Sequence, residues 1–424
     1  MNIALGALAA TQLLAGLALQ LLILRIVGAG PLTDAFVAAQ AVPMLVSALL
    51  GMLLQAIWQP RLSVAAVDMA TWRTEQGVAH GQILLYAPAI SILALLTAPL
   101  WLPRLFSEFS AEQLALVQRM SVPLFLAAVF NIQIAMLLTA QRARGAFYRS
   151  ELYSLIGTLL ALLLLAACLP RMGIESAAWI FLLRSLLVAA ALYLLADRPL
   201  PMLLGARDAK GIWAPMRSMM TGAALQKSNP LVERYWSAQG ASPGVTLLNL
   251  AQTAITALAS VLEKAICGPT APHIARAIAA HDYRVALALY RHGIMQVMGL
   301  VAALVLVLIL LQPLWDDLLA QLLRLETAHA TQLWWFCLLL LGYLLSGAAG
   351  PIAVAVFYAL GDTSTPARVS AAGFFAGLIL KSIGFLWQGL PGLAAAISLG
   401  HLLNLAALCI LVEKTLHRHP PHES

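Results

Sequence analysis

Leu300-Val301-Ala302-Ala303-Leu304-Val305-Leu306-Val307-Leu308-Ile309-Leu310-Leu311 runs without a single polar side chain, and so does Leu159–Ala167. A membrane-crossing helix needs roughly 20 mostly apolar residues, because the hydrocarbon core is about 30 Å thick and each residue rises 1.5 Å. In lipid every backbone amide must find its partner inside the segment or in a closed barrel. A barrel strand alternates apolar and polar residues, whereas these runs are continuous. They therefore specify helices. Extending the same reading along the chain gives about twelve spans, near 4–26, 33–57, 82–103, 118–140, 151–169, 175–196, 214–238, 244–268, 291–313, 331–359, 367–388 and 391–412.

Composition agrees. Of the 424 residues, 62% are hydrophobic and 10% charged, against about 45–50% and about 25% in an ordinary soluble domain. Soluble enzymes, disordered chains and disulfide scaffolds are excluded on that ground. Cys168, Cys267, Cys337 and Cys409 lie in or beside apolar segments without paired spacing, which reads as core residues rather than a disulfide or metal site. The first 25 residues lack a basic leader region and read as an uncleaved first span.

The net charge of +7 has a topological explanation. With the N-terminus inside, the cytoplasmic connections hold Arg61, Arg73, Arg142, Arg144, Arg149, Arg198, Arg207, Lys210, Arg217, Arg276, Arg284, Arg291, Arg368, Lys414 and Arg418. The opposite side holds only Arg104, Arg119, Arg171 and Arg324, with Arg25 at a helix end. That bias follows the positive-inside rule and places both termini in the cytoplasm. The basic excess thus addresses membrane lipids, and no nucleic-acid partner is expected, since no basic patch is interleaved with exposed aromatics.

Shifting the chain by half its length aligns Gly28-Ala29-x-Pro31 with Gly240-Ala241-x-Pro243, Ala39-Gln40 with Ala251-Gln252, and Pro60 with Pro272. Each copy has a tight outer turn, a helix with an early Gln and a Pro near its inner end. The expected organisation is an N-terminal six-helix lobe (1–197), a cytoplasmic linker (198–213), and a C-terminal six-helix lobe with a short tail (214–424). After each repeated helix, the segments 61–80 and 273–290 mix charge with apolar residues at helical spacing and read as interfacial amphipathic helices.

A charge at the bilayer centre costs at least about 2.5–3.5 kcal/mol, so it needs a partner or a wet cavity. The spans contain Arg184, Lys227, Arg234, Lys264 and Lys381. In the eighth span Asn249, Gln252, Thr256, Ser260 and Glu263 recur at three- and four-residue steps and share one face. The seventh carries Gln226, Asn229, Glu233 and Ser237 on one stripe, with Lys227 and Arg234 beside it. Its Pro230 lacks a backbone donor and should kink the helix near Gln226. Gln40, Ser47 and Gln55 repeat the theme in the second span. These stripes describe a polar cleft, although polar residues also serve as plain interhelical glue. Arg25 and Asp34 flank the first outer turn, where a local pair or a helix cap is the simpler role. Gly342, Ser346 and Gly350, followed by Pro351, mark a close-packing face and a hinge in the tenth span.

Three stretches resemble a known family. Arg25-Ile26-Val27-Gly28-Ala29-Gly30-Pro31-Leu32-Thr33-Asp34-Ala35-Phe36, with Pro43 beyond, is similar to the first outer turn of MurJ (MviN)-type lipid II flippases. These belong to the multidrug/oligosaccharidyl-lipid/polysaccharide exporter superfamily. Phe357-Tyr358-x-x-x-Asp362-Thr363-x-Thr365-Pro366 resembles the family's loop between helices 10 and 11, and Leu231-Val232-Glu233-Arg234-Tyr235 with Leu247–Gln252 resembles its helix 7–8 hairpin. The resemblance implies an all-α polytopic fold of two six-helix pseudo-repeats in a V-shaped, MATE-like bundle. It also implies cavity arginines that hold a diphosphate. The matching positions here are Leu13, Leu19, Ser47-Ala48 and Gln252–Ile255, so positive charge would come from Lys227 and Arg234.

The function so implied is alternating-access flipping of a polyprenyl-diphosphate-linked glycan, a cell-wall or exopolysaccharide precursor, across the bacterial cytoplasmic membrane. Its expected site residues are Arg25, Asp34, Gln40, Lys227, Glu233, Arg234, Asn249, Gln252 and Glu263, with Pro230, Gly350 and Pro351 as hinges. Two other readings remain open: an ion-coupled exporter of small cationic drugs, using Glu233, Glu263 or Asp34, and a non-transporting scaffold that partners glycan-synthesis enzymes. The sequence contains no nucleotide loop, metal-ligand cluster or nucleophile triad, so neither a cofactor nor an enzymatic activity is expected, and the identity of a coupling ion is open.

Overall fold

The computed structural model describes residues 3–66, 68–144, 146–196, 198–202, 225 and 227–417. Among these every regular element is helical: α1 (Ile3–Val27), α2 (Pro31–Ala65), α3 (Met69–Leu96), α4 (Ala98–Leu105), α5 (Ala111–Ala143), α6 (Phe147–Met172), α7 (Glu175–Leu195), α8 (227–238), α9 (Gly244–Leu262), α10 (Gly268–Ala279), α11 (Tyr283–Leu310), α12 (Gln312–Leu323), α13 (Thr327–Leu339), α14 (Leu341–Ala359) and α15 (Ser364–His417). Ten of the described helical stretches are long and apolar enough to cross a membrane. The longest, α15, is really two helices, because Gln388 and Gly389 (φ +62) leave helical geometry. Gln226 and most of the expected linker 198–213 lie outside the described residues.

Local chemistry sets the helix ends. Pro31 occupies the first turn of α2, where its missing N–H costs nothing. Ser110 and Gln113 form a reciprocal capping box on α5, with bonds of 3.2 and 2.9 Å. Asp68 caps α3 by accepting from Thr71 N–H (2.9 Å), and Asp282 caps α11 through Val285 N–H (3.0 Å).

Those last two caps correct the expectation for 61–80 and 273–290. Neither segment is one continuous helix. Each is the end of one long helix and the start of the next, divided at Asp68 and at Asp282. The helical spacing was real, but the aspartates break it by offering the following amides a better acceptor than a continuing helix would.

The chain divides into two compact units, Met1–Thr246 and Leu247–Ser424. In the first, α2 and α7 pack along α5, and α1 along α6. Every residue from Thr33 to Ala41 is buried, so this part of α2 is surrounded by protein on all sides. Lipid tails are as apolar as leucine, so helices associate here through close packing and polar links. Gly157 shows the first: a Cβ there would stand 2.2 Å from Val188 Cγ2. Trp58 shows the second, fully buried with its indole N–H donating to Gln82 Oε1 at 3.1 Å.

In the second unit α14 packs on α15, and α10 and α11 pack against each other and on α14. The arms of α15 fold back on each other so closely that a Cβ on Gly392 would stand 2.0 Å from Gly384 O. Between α9 and α10 the residues Glu263–Cys267 form one π turn, with Gly268 N–H bonded to Glu263 O. Pro269 and Pro272 follow directly and remove donors from the ladder, which accounts for the widened turn.

Candidate functional site

The outer turn after α1 is locked by side chains. Gly28 takes φ +87, a conformation that favours glycine, and Thr33 Oγ1 lies 3.1 Å from Gly28 O and 2.9 Å from Gly30 O while accepting Gly30 N–H at 3.0 Å. This fixes the next residue, Asp34, pointing inward with only 2% of its surface exposed. Asp34 Oδ1 accepts the Thr246 N–H (2.8 Å) and hydroxyl (2.6 Å), and Oδ2 accepts the Ser242 hydroxyl (2.7 Å). Thr246 lies in the first turn of α9, and Pro243, just before that helix, carries no acceptor side chain. Asp34 therefore caps α9 from another helix, and its negative charge faces the positive end of that helix dipole. Arg25, by contrast, is exposed and forms no ion pair among the described residues.

On α8, Glu233 and Arg234 are both buried, at 6% and 8% exposure. The Arg234 guanidinium nitrogens lie 4.0 and 3.9 Å from Met44 Sδ, and Ser237 donates to Arg234 O at 3.1 Å. Lys227 and Pro230 are exposed. The two basic residues of this helix thus have different settings: Arg234 is interior and Lys227 is not. The helix runs on through Pro230.

The first unit also carries a half-open cavity of about 240 Å³ between α1, α2, α5 and α7. Gln40 and Met44 line it, so it extends to the residue that Arg234 touches. Leu19 and Ser47, two positions where the resemblance implies arginine, line the same cavity. Among the described residues, the one charged group in its lining is Arg184 of α7. Arg184 Nε donates to Thr158 Oγ1 (3.1 Å), which also accepts from Gln12 Nε2 (3.0 Å) and donates to Ser154 O (2.9 Å).

In the second unit Asn249 and Gln252 are half-buried on α9, Thr253 donates to Asn249 O, and Thr256 meets the Tyr343 hydroxyl at 3.3 Å. Glu263 opens the π turn. Gly350 and Pro351 lie within α14, and the helix continues past them to Ala359. The break in this region falls earlier, at Leu340. There Ser398 donates to Leu339 O (2.5 Å) and accepts Tyr343 N–H (3.1 Å), so its hydroxyl is inserted between the two groups that a continuous helix would join.

The loop after α14 carries Asp362, whose Oδ1 accepts from Ser364 N–H, the Ser364 hydroxyl and Thr365 N–H at 2.9–3.0 Å. The Thr365 hydroxyl, then the Thr365 amide and the Ser364 hydroxyl, pull its carboxyl down to about 2, and the bonds cap α15. Asp68 is lowered in the same way by Thr71 and Ala70.

Sequence reading singled out Asp34, Gln40 and Arg234, and the structure places all three in the first unit. It passed over Arg184 as a member of the cavity and Ser398 as the helix breaker. Arg184 had a signal, being the lone charge inside the apolar span Glu175–Leu195. Ser398 had none, because its partners are 55 and 59 residues away.

The chain matches the family model described as lipid II flippase MurJ over residues 23–423. No curated protein sequence matches it. Among solved structures it resembles the lipid II flippase MurJ in an inward closed conformation, with a TM-score of 0.83 at 14% identity, covering 99% of this chain and 90% of that one. It also resembles an inward-facing multidrug resistance MATE family transporter of the MOP superfamily, with a TM-score of 0.75 at 16% identity over 100% and 97% of the two chains. A third similar structure is MATE in the bent conformation, with a TM-score of 0.64 at 15% identity over 99% and 94%. At these identities the likeness is one of fold.

Proposed function

Because the chain belongs to the lipid II flippase MurJ family, we propose that it moves a polyprenyl-diphosphate-linked glycan across the bacterial cytoplasmic membrane by alternating access. The observation that carries this reading is the match over residues 23–423. The Asp34 cap supports it, since the outer turn that carries the resemblance is a built and buried feature. In this reading both termini face the cytoplasm, and Arg234 supplies interior positive charge for the diphosphate, with Lys227 at the margin. Gln40 and Glu233 of the first unit and Asn249, Gln252 and Glu263 of the second are the polar residues assigned to the substrate, and Pro230, Gly350 and Pro351 flex.

A drug-exporter mechanism would need an open carboxylate for the coupling ion or the cationic drug. The Asp34 carboxylate is instead committed to three hydrogen bonds at a helix end, which leaves Glu233 and Glu263 as the carboxylates that such a mechanism would use. The substrate is a cell-wall or exopolysaccharide precursor, and one experiment separates the two. Cells depleted of their own lipid II flippase are given this gene: growth rescue assigns a cell-wall substrate, whereas lysis despite membrane expression removes lipid II as the cargo.

A further inference from the structure

The apolar span α11 starts at the Asp282 cap and stops at Leu310, and its bare face reaches that end, where Leu306, Ile309 and Leu310 are all exposed. There α12 begins, with Pro313 in its first turn. At about 100° per residue, the side chains of α12 fall into three sectors. Trp315, Leu319 and Leu323 form one; both leucines are buried, and α12 packs on α13. Leu314, Leu318 and Leu322 form the next and remain 67%, 56% and 47% exposed. Pro313, Asp317 and Gln321 form the third, exposed as well.

A helix crossing the bilayer has no place for a polar sector, and a helix in water none for bare leucines on three successive turns. Three sectors suit a helix that lies where protein, acyl chains and water meet. The leucine sector continues the exposed apolar face of α11, so the lipid that covers one covers the other.

The first unit repeats the corner. Pro99-Leu100-Trp101 opens α4 after the span α3, as Pro313-Leu314-Trp315 opens α12 after α11, and the same spacing separates their caps, Asp68 and Asp282. Leu100 is exposed, like Leu314. At both span ends an indole satisfies a carbonyl that the helix terminus orphans: Trp101 Nε1 donates to Ala94 O at 3.2 Å, and Trp334 Nε1 of α13 to Leu308 O at 3.1 Å. Indoles with an apolar body and a bonded N–H suit the membrane–water interface.

We propose that α12 is a membrane-surface helix, its Leu314–Leu318–Leu322 sector seated among acyl chains and its Asp317–Gln321 sector in water. Between Gln312 and Leu323 the sequence holds Asp316 and Asp317 and no basic residue. The partner is therefore a neutral phospholipid surface, held by apolar burial rather than by charge. The inference goes beyond the flippase reading and rests on it only for the leaflet, the outer one in the proposed orientation.

The test uses the wild-type full-length protein in phosphatidylethanolamine–phosphatidylcholine vesicles, with a carbene photolabel dissolved in the bilayer and labelled residues mapped by mass spectrometry. Leu314, Leu318 and Leu322 should be labelled within about twofold of Leu306 and Leu310, and Gln321 about fivefold less or lower. Spin labels at positions 314, 317, 318, 321 and 322 read the same face by collision with oxygen against a water-soluble nickel chelate. The three leucine positions should favour oxygen, and 317 and 321 the chelate. The proposal is overturned when the leucines escape the photolabel and their spin labels favour the chelate, which places the face in water. It is overturned equally when they escape the photolabel and collide with neither reagent, which means that a second copy or another protein covers the face. Asp317→Cys, read against wild type as the blank, fixes the leaflet. Reaction with a membrane-impermeant maleimide on intact spheroplasts supports the outer leaflet; reaction only in inside-out vesicles overturns the proposed orientation alone.

Discussion

Asp34 accepts two hydrogen bonds from Thr246, one from its backbone N–H at 2.8 Å and one from its hydroxyl at 2.6 Å, and 212 positions separate the two residues. The same offset brings Gly28-Ala29-x-Pro31 onto Gly240-Ala241-x-Pro243. The bond therefore joins two positions that the half-chain offset read from the sequence places in register. Asp34 is the buried acceptor, and Thr246 is the donor at a helix start.

Removing the acceptor leaves a buried amide unpaired. Asp34→Ala should destabilise the protein in detergent by about 1–3 kcal/mol, and Asp34→Asn, which keeps one acceptor oxygen, by less. Thr246→Val should cost about 1 kcal/mol, because the backbone N–H can still donate to Asp34. Thermal unfolding of the single and double variants checks this. The Asp34→Ala and Thr246→Val losses should be non-additive, since they share one contact.

Ser398→Ala should straighten the α13–α14 junction. With the hydroxyl gone, Leu339 O and Tyr343 N–H are free to bond to each other, so the change in stability stays within about 1 kcal/mol. Spin labels at positions 329 and 355 would report the straightening as an increased distance, whereas an unchanged distance would show that another group holds the break open.

The hairpin of α15 tolerates no side chain at its closest approach. A Cβ at Gly392 would stand 2.0 Å from Gly384 O, so the backbone of both arms must move. Gly392→Ala should cost about 1–3 kcal/mol or more. Gly350→Ala is the control: nothing lies within 4 Å of its Cβ position, and its stability should be close to wild type.

Asp362 supplies a pH signature. Its carboxyl is depressed to about 2 from the ordinary 3.8 by the bonds from Thr365 and then Ser364. The cap is therefore fully present above the ordinary value and lost as pH falls through about 2. Amide exchange at Ser364 and Thr365, corrected for the intrinsic pH dependence, should accelerate across that window in wild type. In Asp362→Asn, where the capping acceptor does not titrate, the corrected rate should stay flat.

Helix identity was legible from runs such as Leu300–Leu311 because insertion into lipid depends on contiguous hydrophobicity, a property of the local sequence. Helix boundaries at Asp68 and Asp282 were less legible, since the same charged, periodic residues suit an interfacial helix or a capped turn. The cap on α9 was not, because Asp34 lies 208 residues from Ser242 and 212 from Thr246. The cavity around Arg184 needs four helices to form it. Stripes on a single helix reveal which face is polar, but they do not tell which stripes meet.

The central claim, that the protein flips a diphosphate-linked glycan, is tested most directly in proteoliposomes. A fluorescent polyprenyl-diphosphate-linked disaccharide is placed in the inner leaflet, and its appearance outside is followed with a membrane-impermeant quencher. The account predicts that wild type exposes the sugar well above protein-free vesicles, that Arg234→Gln reduces the rate by about tenfold or more, and that an uncharged polyprenyl glycoside is not moved. Transfer at the protein-free rate by wild type in a sealed, folded preparation would contradict it.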